Sequence, residues 1–155
     1  MIQIRHARKE EVNTLQHLNK EVFIDNQTYD EDIAMDWSLS QKGNEYFTQL
    51  LNNASALCLI AEYDGKIVGY AAANLKTFGH RKSRYLEVEN IGVIPDYRSK
   101  GIGTKLLETC IEWAKSKGFQ KIYLDSYYKN SNAIKFYKRH GFSEVALSLE
   151  KTIQY

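Results

Sequence analysis

The stretch Val93-Ile94-Pro95-Asp96-Tyr97-Arg98-Ser99-Lys100-Gly101-Ile102-Gly103 brings two glycines and two cations to the start of an apolar helical pattern. Glycine lets a backbone approach a ligand closely and turn its amides toward one point. A helix that begins there adds unpaired N–H groups and the positive end of its dipole. Arg98 and Lys100 add charge, and the whole suits a phosphate or diphosphate. Two better-known phosphate loops do not fit. A Walker loop needs four residues between its first glycine and Gly-Lys-Ser/Thr, and the dinucleotide fingerprint needs a third glycine where this chain has Leu106.

Just before the loop, strand alternation puts Tyr85, Glu87, Glu89, Ile91 and Val93 on one face. Two neighbouring carboxylates repel, and one of them can carry a raised pKa, as a general base requires. Gly92, inside the same strand, marks a bulge or a close backbone approach. Farther upstream, Glu21, Asp25, Asp30, Glu31, Asp32 and Asp36 occur with no Lys or Arg among residues 21–36, interleaved with Phe23 and Tyr29 and followed by Trp37. An acidic rim with aromatic faces attracts a cationic amine. His80 reads as a solvated loop histidine, His140 as a partner of a helix C-terminus, and Cys58 and Cys110 as reduced core thiols. No metal-ligand spacing is present.

These residues need elements to hold them. The chain has 155 residues, enough for one domain, read here as spanning 1–155. It is 43% hydrophobic and 26% charged, with a net charge of +2 that gives no overall bias toward nucleic acid. No apolar run approaches membrane-spanning length and no signal-peptide core opens the chain, so the expected location is cytoplasmic. Ile2 and Ile4 alternate as in a short strand, Val12, Leu15 and Leu18 mark a helix, and a second helix is expected over 43–52. Strands at 55–63 and 66–75 flank Asp64-Gly65, a strong hairpin signal, and another strand runs over 84–93. The helix after the loop buries Ile102, Leu106, Leu107, Cys110, Ile111 and Ala114. A strand at 121–126, a helix at 131–140 stopping at Gly141, and a last strand through Val145, Leu147 and Leu149 complete the order. The expected class is α/β: a mixed sheet, antiparallel at its N-terminal side, with about four flanking helices.

Pro95-x-x-Arg98-x-x-Gly101-x-Gly103 resembles the acetyl-CoA-binding motif of the GNAT N-acetyltransferase superfamily. A second matching run follows at the expected distance, Asn130-x-x-Ala133-Ile134-x-Phe136-Tyr137-x-x-x-Gly141-Phe142. The resemblance covers about the last two-thirds of the chain.

It implies a GNAT-like fold with a V-shaped opening between the strand ending at Val93 and the one from Lys121, where the pantetheine arm pairs with strand backbone. It implies that backbone N–H groups of Arg98, Ser99, Lys100, Gly101, Ile102, Gly103 and Thr104 hold the diphosphate, and that Asn130 bonds the pantetheine arm, with Ala133 and Phe136 also on the cofactor side. The resemblance makes Tyr137 the acid that protonates the leaving thiolate and Glu89 the base, with Glu87 as relay or substrate anchor. A backbone N–H at Ile91 or Val93, beside Gly92, would meet the carbonyl oxygen. The implied reaction moves acetyl from acetyl-CoA to a primary amine without a metal. The expected acceptor is a small cationic amine (a polyamine, amino sugar, amino acid or peptide N-terminus) touched by Phe23, Asp25, Tyr29 and Glu87. Neither nucleic acid nor membrane is an expected partner, and family habit points to a homodimer. The alternatives are an acyl-CoA-binding sensor without catalysis and a protein lysine or N-terminal acetyltransferase.

Overall fold

Ile2 and Ile4 do lie in a strand, β1 (Ile2–His6), the edge of a five-stranded sheet. The structure is a computed structural model and describes residues 1–155. After β1 come α1 (Val12–Val22), α2 (Gln41–Asn52), β2 (Leu57–Tyr63), β3 (Lys66–Lys76), β4 (Tyr85–Val93), α3 (Ile102–Ser116), β5 (Lys121–Tyr123) and α4 (Ser131–Arg139). Short 3-10 turns sit at Lys9–Glu11, Ile24–Thr28, Trp37–Leu39 and Pro95–Tyr97. The chain divides into two compact units, Met1–Asp125 and Ser126–Tyr155.

In the first unit the strand order is β1-β2-β3-β4-β5, antiparallel throughout except for the parallel β4–β5 pair. Asp64 and Gly65 take positive φ (49° and 83°) and join Tyr63 to Lys66 in a tight hairpin, as the Asp-Gly pair predicts. β2 and β3 are buried almost without interruption from Leu57 to Ala61 and from Val68 to Ala73. Unbroken burial means that both faces of these strands are covered, which explains their continuous apolar runs. The covering side chains include Leu15, Leu18 and Val22 of α1, Phe47 and Leu50 of α2, and Ile102, Leu106, Cys110 and Ala114 of α3. Each large aliphatic among them contributes about 1.5–3 kcal/mol by leaving water.

Caps fix the helix ends. The Ser40 hydroxyl accepts from the Gly43 N–H at 3.2 Å and starts α2. A side chain on Gly43 would collide with the carbonyls of Trp37 and Ser38, so a bare backbone lets this turn pack on the helix. α3 ends with Gly118 at φ 76°, whose N–H reaches Lys115 O while Phe119 N–H reaches Ala114 O, a Schellman closure.

The second unit centres on α4. The Asn130 side chain accepts from Ala133 N–H at 3.2 Å and caps its start. Its end repeats the α3 arrangement: Gly141 (φ 89°) bonds Lys138 O, Phe142 bonds Tyr137 O, and the Tyr137 and Phe142 rings meet at 5.7 Å.

Two expectations need correction. The strand read over 121–126 ends at Tyr123. The last strand does not form: residues 143–155 hold neither helix nor strand, and Val145, Leu147 and Leu149 are 61–88% exposed. Alternation specifies a strand only where one face is buried, and here neither face is.

Candidate active site

The β4–β5 pairing lasts three residues, Tyr85↔Lys121, Leu86↔Ile122 and Glu87↔Tyr123. Beyond Glu87, β4 continues to Val93 with no partner on that side, so an opening between the two parallel strands begins there. Val93 leads through the Pro95–Tyr97 turn into the glycine loop and α3.

In the loop Ser99 and Gly101 both adopt left-handed φ, 63° and 84°. For a serine this conformation costs about 1 kcal/mol and is kept only where surroundings demand it. Two left-handed residues around Lys100 turn successive N–H groups toward a common side. The first hydrogen bond of α3 runs from Lys105 N–H to Gly101 O at 3.2 Å, and the amides of residues 99–104 meet no acceptor within the chain. Six unpaired donors at a helix N-terminus fit the diphosphate expected there. Lys100 Nζ lies 5.7 Å from the centre of the Tyr63 ring.

Arg98 acts differently from the expectation. Its N–H bonds Pro95 O at 3.2 Å. Its guanidinium donates to Val93 O (3.0 Å), Val22 O (2.9 Å) and Asp25 Oδ2 (2.7 Å). The side chain therefore clasps the loop to the end of α1, and its charge is matched by Asp25 instead of standing free for a phosphate. Asp25 is likewise committed to Arg98. Phe23 is half-buried with its ring 6.4 Å from that of Tyr70, and Tyr29 is half-buried at the end of the same turn.

β4 also departs from simple alternation. Its register with β3 passes from Ala72↔Asn90 to Ala73↔Val88, leaving Glu89 as the extra residue of a bulge. The bulge thus lies at Glu89 and not at Gly92. Gly92 meets a different need, since a methyl group there would overlap Val22 Cγ1 of α1. Glu87 and Glu89 consequently sit in unlike surroundings. Glu87 is half-buried, and burial raises its carboxyl above the ordinary range. Lys76, with Nζ 4.0 Å away, opposes that shift, while Glu89 and Asp125 add to it. Glu89 is exposed and accepts a hydrogen bond from the Tyr46 hydroxyl at 2.7 Å. That hydroxyl accepts in turn from Asn90 Nδ2 at 2.8 Å. Ile91 is half-buried and Val93 buried.

The sequence pattern gave no sign of the bond between Tyr46 of α2 and Glu89. The residue type alone says only that a tyrosine on a buried helix face needs a partner for its hydroxyl. Of the residues expected from the second motif, Asn130, Ala133, Phe136 and Tyr137 all lie on or cap α4 in the second unit. Asn130 Oδ1 is occupied by the cap. Ala133, Phe136 and Tyr137 are half-buried, with the Phe136 and Tyr137 rings 5.3 Å apart.

The acetyltransferase (GNAT) family matches residues 7–142. The chain belongs to this family. The match runs through both units, from the turn after β1 to the closure of α4. Among GNAT relatives, an uncharacterised N-acetyltransferase of Methanocaldococcus jannaschii is 37% identical over 64% of this chain and 44% of its own length. An N-alpha-acetyltransferase of Sulfurisphaera tokodaii is 29% identical over 92% of this chain and 80% of its own. The aligned part is thus under half the length of the first relative. Among solved structures, a Bacillus halodurans protein superposes with a TM-score of 0.84 at 20% identity, covering 98% of this chain and 99% of that one. The aminoglycoside acetyltransferase AAC(6')-Iy, in complex with a bisubstrate analogue of CoA and acetylneamine, superposes at 0.77 with 19% identity, covering 100% and 99%. At such identities the superpositions establish the shared GNAT fold.

Proposed function

We propose that the protein is an acetyl-CoA-dependent N-acetyltransferase acting on a small cationic amine. The observation that carries this reading is the run of six unpaired amides over residues 99–104, placed where β4 separates from β5 and turns into α3. The fold is shared with AAC(6')-Iy, whose bound analogue joins CoA to acetylneamine. In this reading the diphosphate lies on those amides and the pantetheine arm runs along the unpaired side of β4 beyond Glu87. The resemblance to the family assigns Asn130, Ala133 and Phe136 of the second motif to that arm.

An alkyl ammonium has a pKa of roughly 10, so a base must take its proton before the nitrogen can attack the thioester carbonyl. Glu89 is that base, exposed on its bulge, with half-buried Glu87 beside it to attract the cation. As the C–S bond breaks, Tyr137 gives its phenolic proton to the sulfur. A backbone N–H at Ile91 or Val93, on either side of Gly92, receives the carbonyl oxygen. Phe23, Tyr29 and the acidic turn around Asp25 lie on the acceptor side.

The assay is release of CoA thiol from acetyl-CoA with a panel of polyamines, aminoglycosides, amino acids and short peptides. Tyr137→Phe lowers kcat about a hundredfold while calorimetric binding of acetyl-CoA persists. A folded protein that gives no heat with acetyl-CoA ends the reading, and binding without turnover of any amine leaves a sensor domain. A second acceptor class has its own support, since the Sulfurisphaera tokodaii relative is an N-alpha-acetyltransferase. Faster turnover of peptide N-termini than of polyamines assigns the protein to that class.

A further inference from the structure

The bulge in β4 does more than present Glu89. In a regular strand residues 89 and 90 point to opposite faces, and no single group can bond both side chains. Here the Tyr46 hydroxyl of α2 bonds both, donating to Glu89 Oε1 at 2.7 Å and accepting from Asn90 Nδ2 at 2.8 Å. The extra residue opposite Ala72 and Ala73 is what brings the two neighbours to one point. Tyr46 is itself firmly seated, with its ring 5.7 Å from that of Trp37 and 5.0 Å edge-on to that of Phe47, which is fully buried. Sheet and helix thus meet in an ordered chain: the Asn90 amide donates to the Tyr46 hydroxyl, and that hydroxyl donates to the Glu89 carboxylate.

We propose that Tyr46 is the positioning residue for Glu89: its hydroxyl, steered by the Asn90 amide, holds Oε1 and leaves Oε2 as the acceptor of the amine's proton. The inference rests on the reading of Glu89 as base. In the step concerned, one N–H bond of the ammonium breaks and one O–H bond forms at Oε2. Tyr46 keeps its own proton throughout. Burial pushes the phenol well above its ordinary value, so it stays a donor at any pH at which the protein works. Without it an exposed glutamate samples several rotamers, and fewer of them are productive.

The test uses thiol release from acetyl-CoA with spermidine and neamine as probe amines. Tyr46→Phe lowers kcat roughly tenfold, the worth of one hydrogen bond to a charged group, while the KM for acetyl-CoA stays within twofold. In a Glu89→Gln background, itself strongly impaired, adding Tyr46→Phe costs less than twofold, because the oriented base has already gone. Asn90→Ala, which keeps the phenol but frees it to rotate, gives a smaller loss of two- to fivefold. Crystals of Tyr46→Phe give a readout that needs no amine: the Glu89 carboxylate leaves its position. Equal losses from Tyr46→Phe in both backgrounds, or a Glu89 carboxylate unmoved in the variant, overturn the inference and leave Tyr46 a packing residue. Wild-type turnover by Glu89→Gln defeats the reading of Glu89 as base instead, and a wild-type Tyr46→Phe with an impaired Glu89→Gln defeats this inference alone.

Discussion

Gly101 and Arg98 divide the work of the loop between them. Gly101 has open space around the position of a side chain, so its requirement is conformational: φ 84° is costly for any residue with a Cβ. Gly101→Ala is expected to fold, to lose about 1 kcal/mol of stability, and to weaken acetyl-CoA about tenfold in calorimetry, because the amides on either side no longer converge. Sequence reading found this glycine because the requirement is local. It misjudged the use of Arg98, whose partners Val22, Asp25 and Val93 come from two other parts of the chain. Spacing along the chain carries no record of those contacts. The same holds for Tyr46 and Glu89, forty-three positions apart and joined only by the packing of α2 near β4.

At the level of elements, patterning performed well wherever burial enforces it. The Asp64-Gly65 hairpin, the stripe of α3 apart from half-buried Ile111, and the glycine stop at 141 appear where residue types placed them. Failure came where alternation met something it cannot encode: a bulge at Glu89 in β4, and a C-terminal run of alternating aliphatics without a face to bury. Gly92 shows how an element's spacing depends on one hydrogen atom. A methyl group there overlaps Val22 Cγ1, so Gly92→Ala must push α1 away from β4. The expected cost is about 1–3 kcal/mol in urea denaturation, with the m-value unchanged. Val22→Ala in the same chain makes room and is expected to recover part of that loss.

For the molecule as a whole, the charge group at the first turn contributes to the response to acid. Glu11 is buried and takes a two-pronged bond from Arg5 (2.8 and 3.0 Å), while Arg5 Nε also holds Glu62 at 2.8 Å. The Arg5 guanidinium lowers the Glu11 carboxyl from 4.5 to about 2, against the opposing effect of burial. A folded-state pKa below the unfolded one means that this stabilisation is complete above about 4.5. It is lost progressively as pH falls toward 2. Melting temperatures measured from pH 7 down to pH 3 should therefore fall more steeply in the parent protein than in Glu11→Gln. At pH 7 the variant should start about 2 kcal/mol lower.

The clasp between Arg98 and Asp25 has a kinetic reach. The loop that offers its amides and the turn that follows α1 share one guanidinium, so whatever steadies the first also steadies the second. The two substrates should then add in a compulsory order, the nucleotide thioester before the amine. A dead-end analogue of the amine should then inhibit uncompetitively against acetyl-CoA, and Arg98→Ala should turn this into the noncompetitive pattern of random addition.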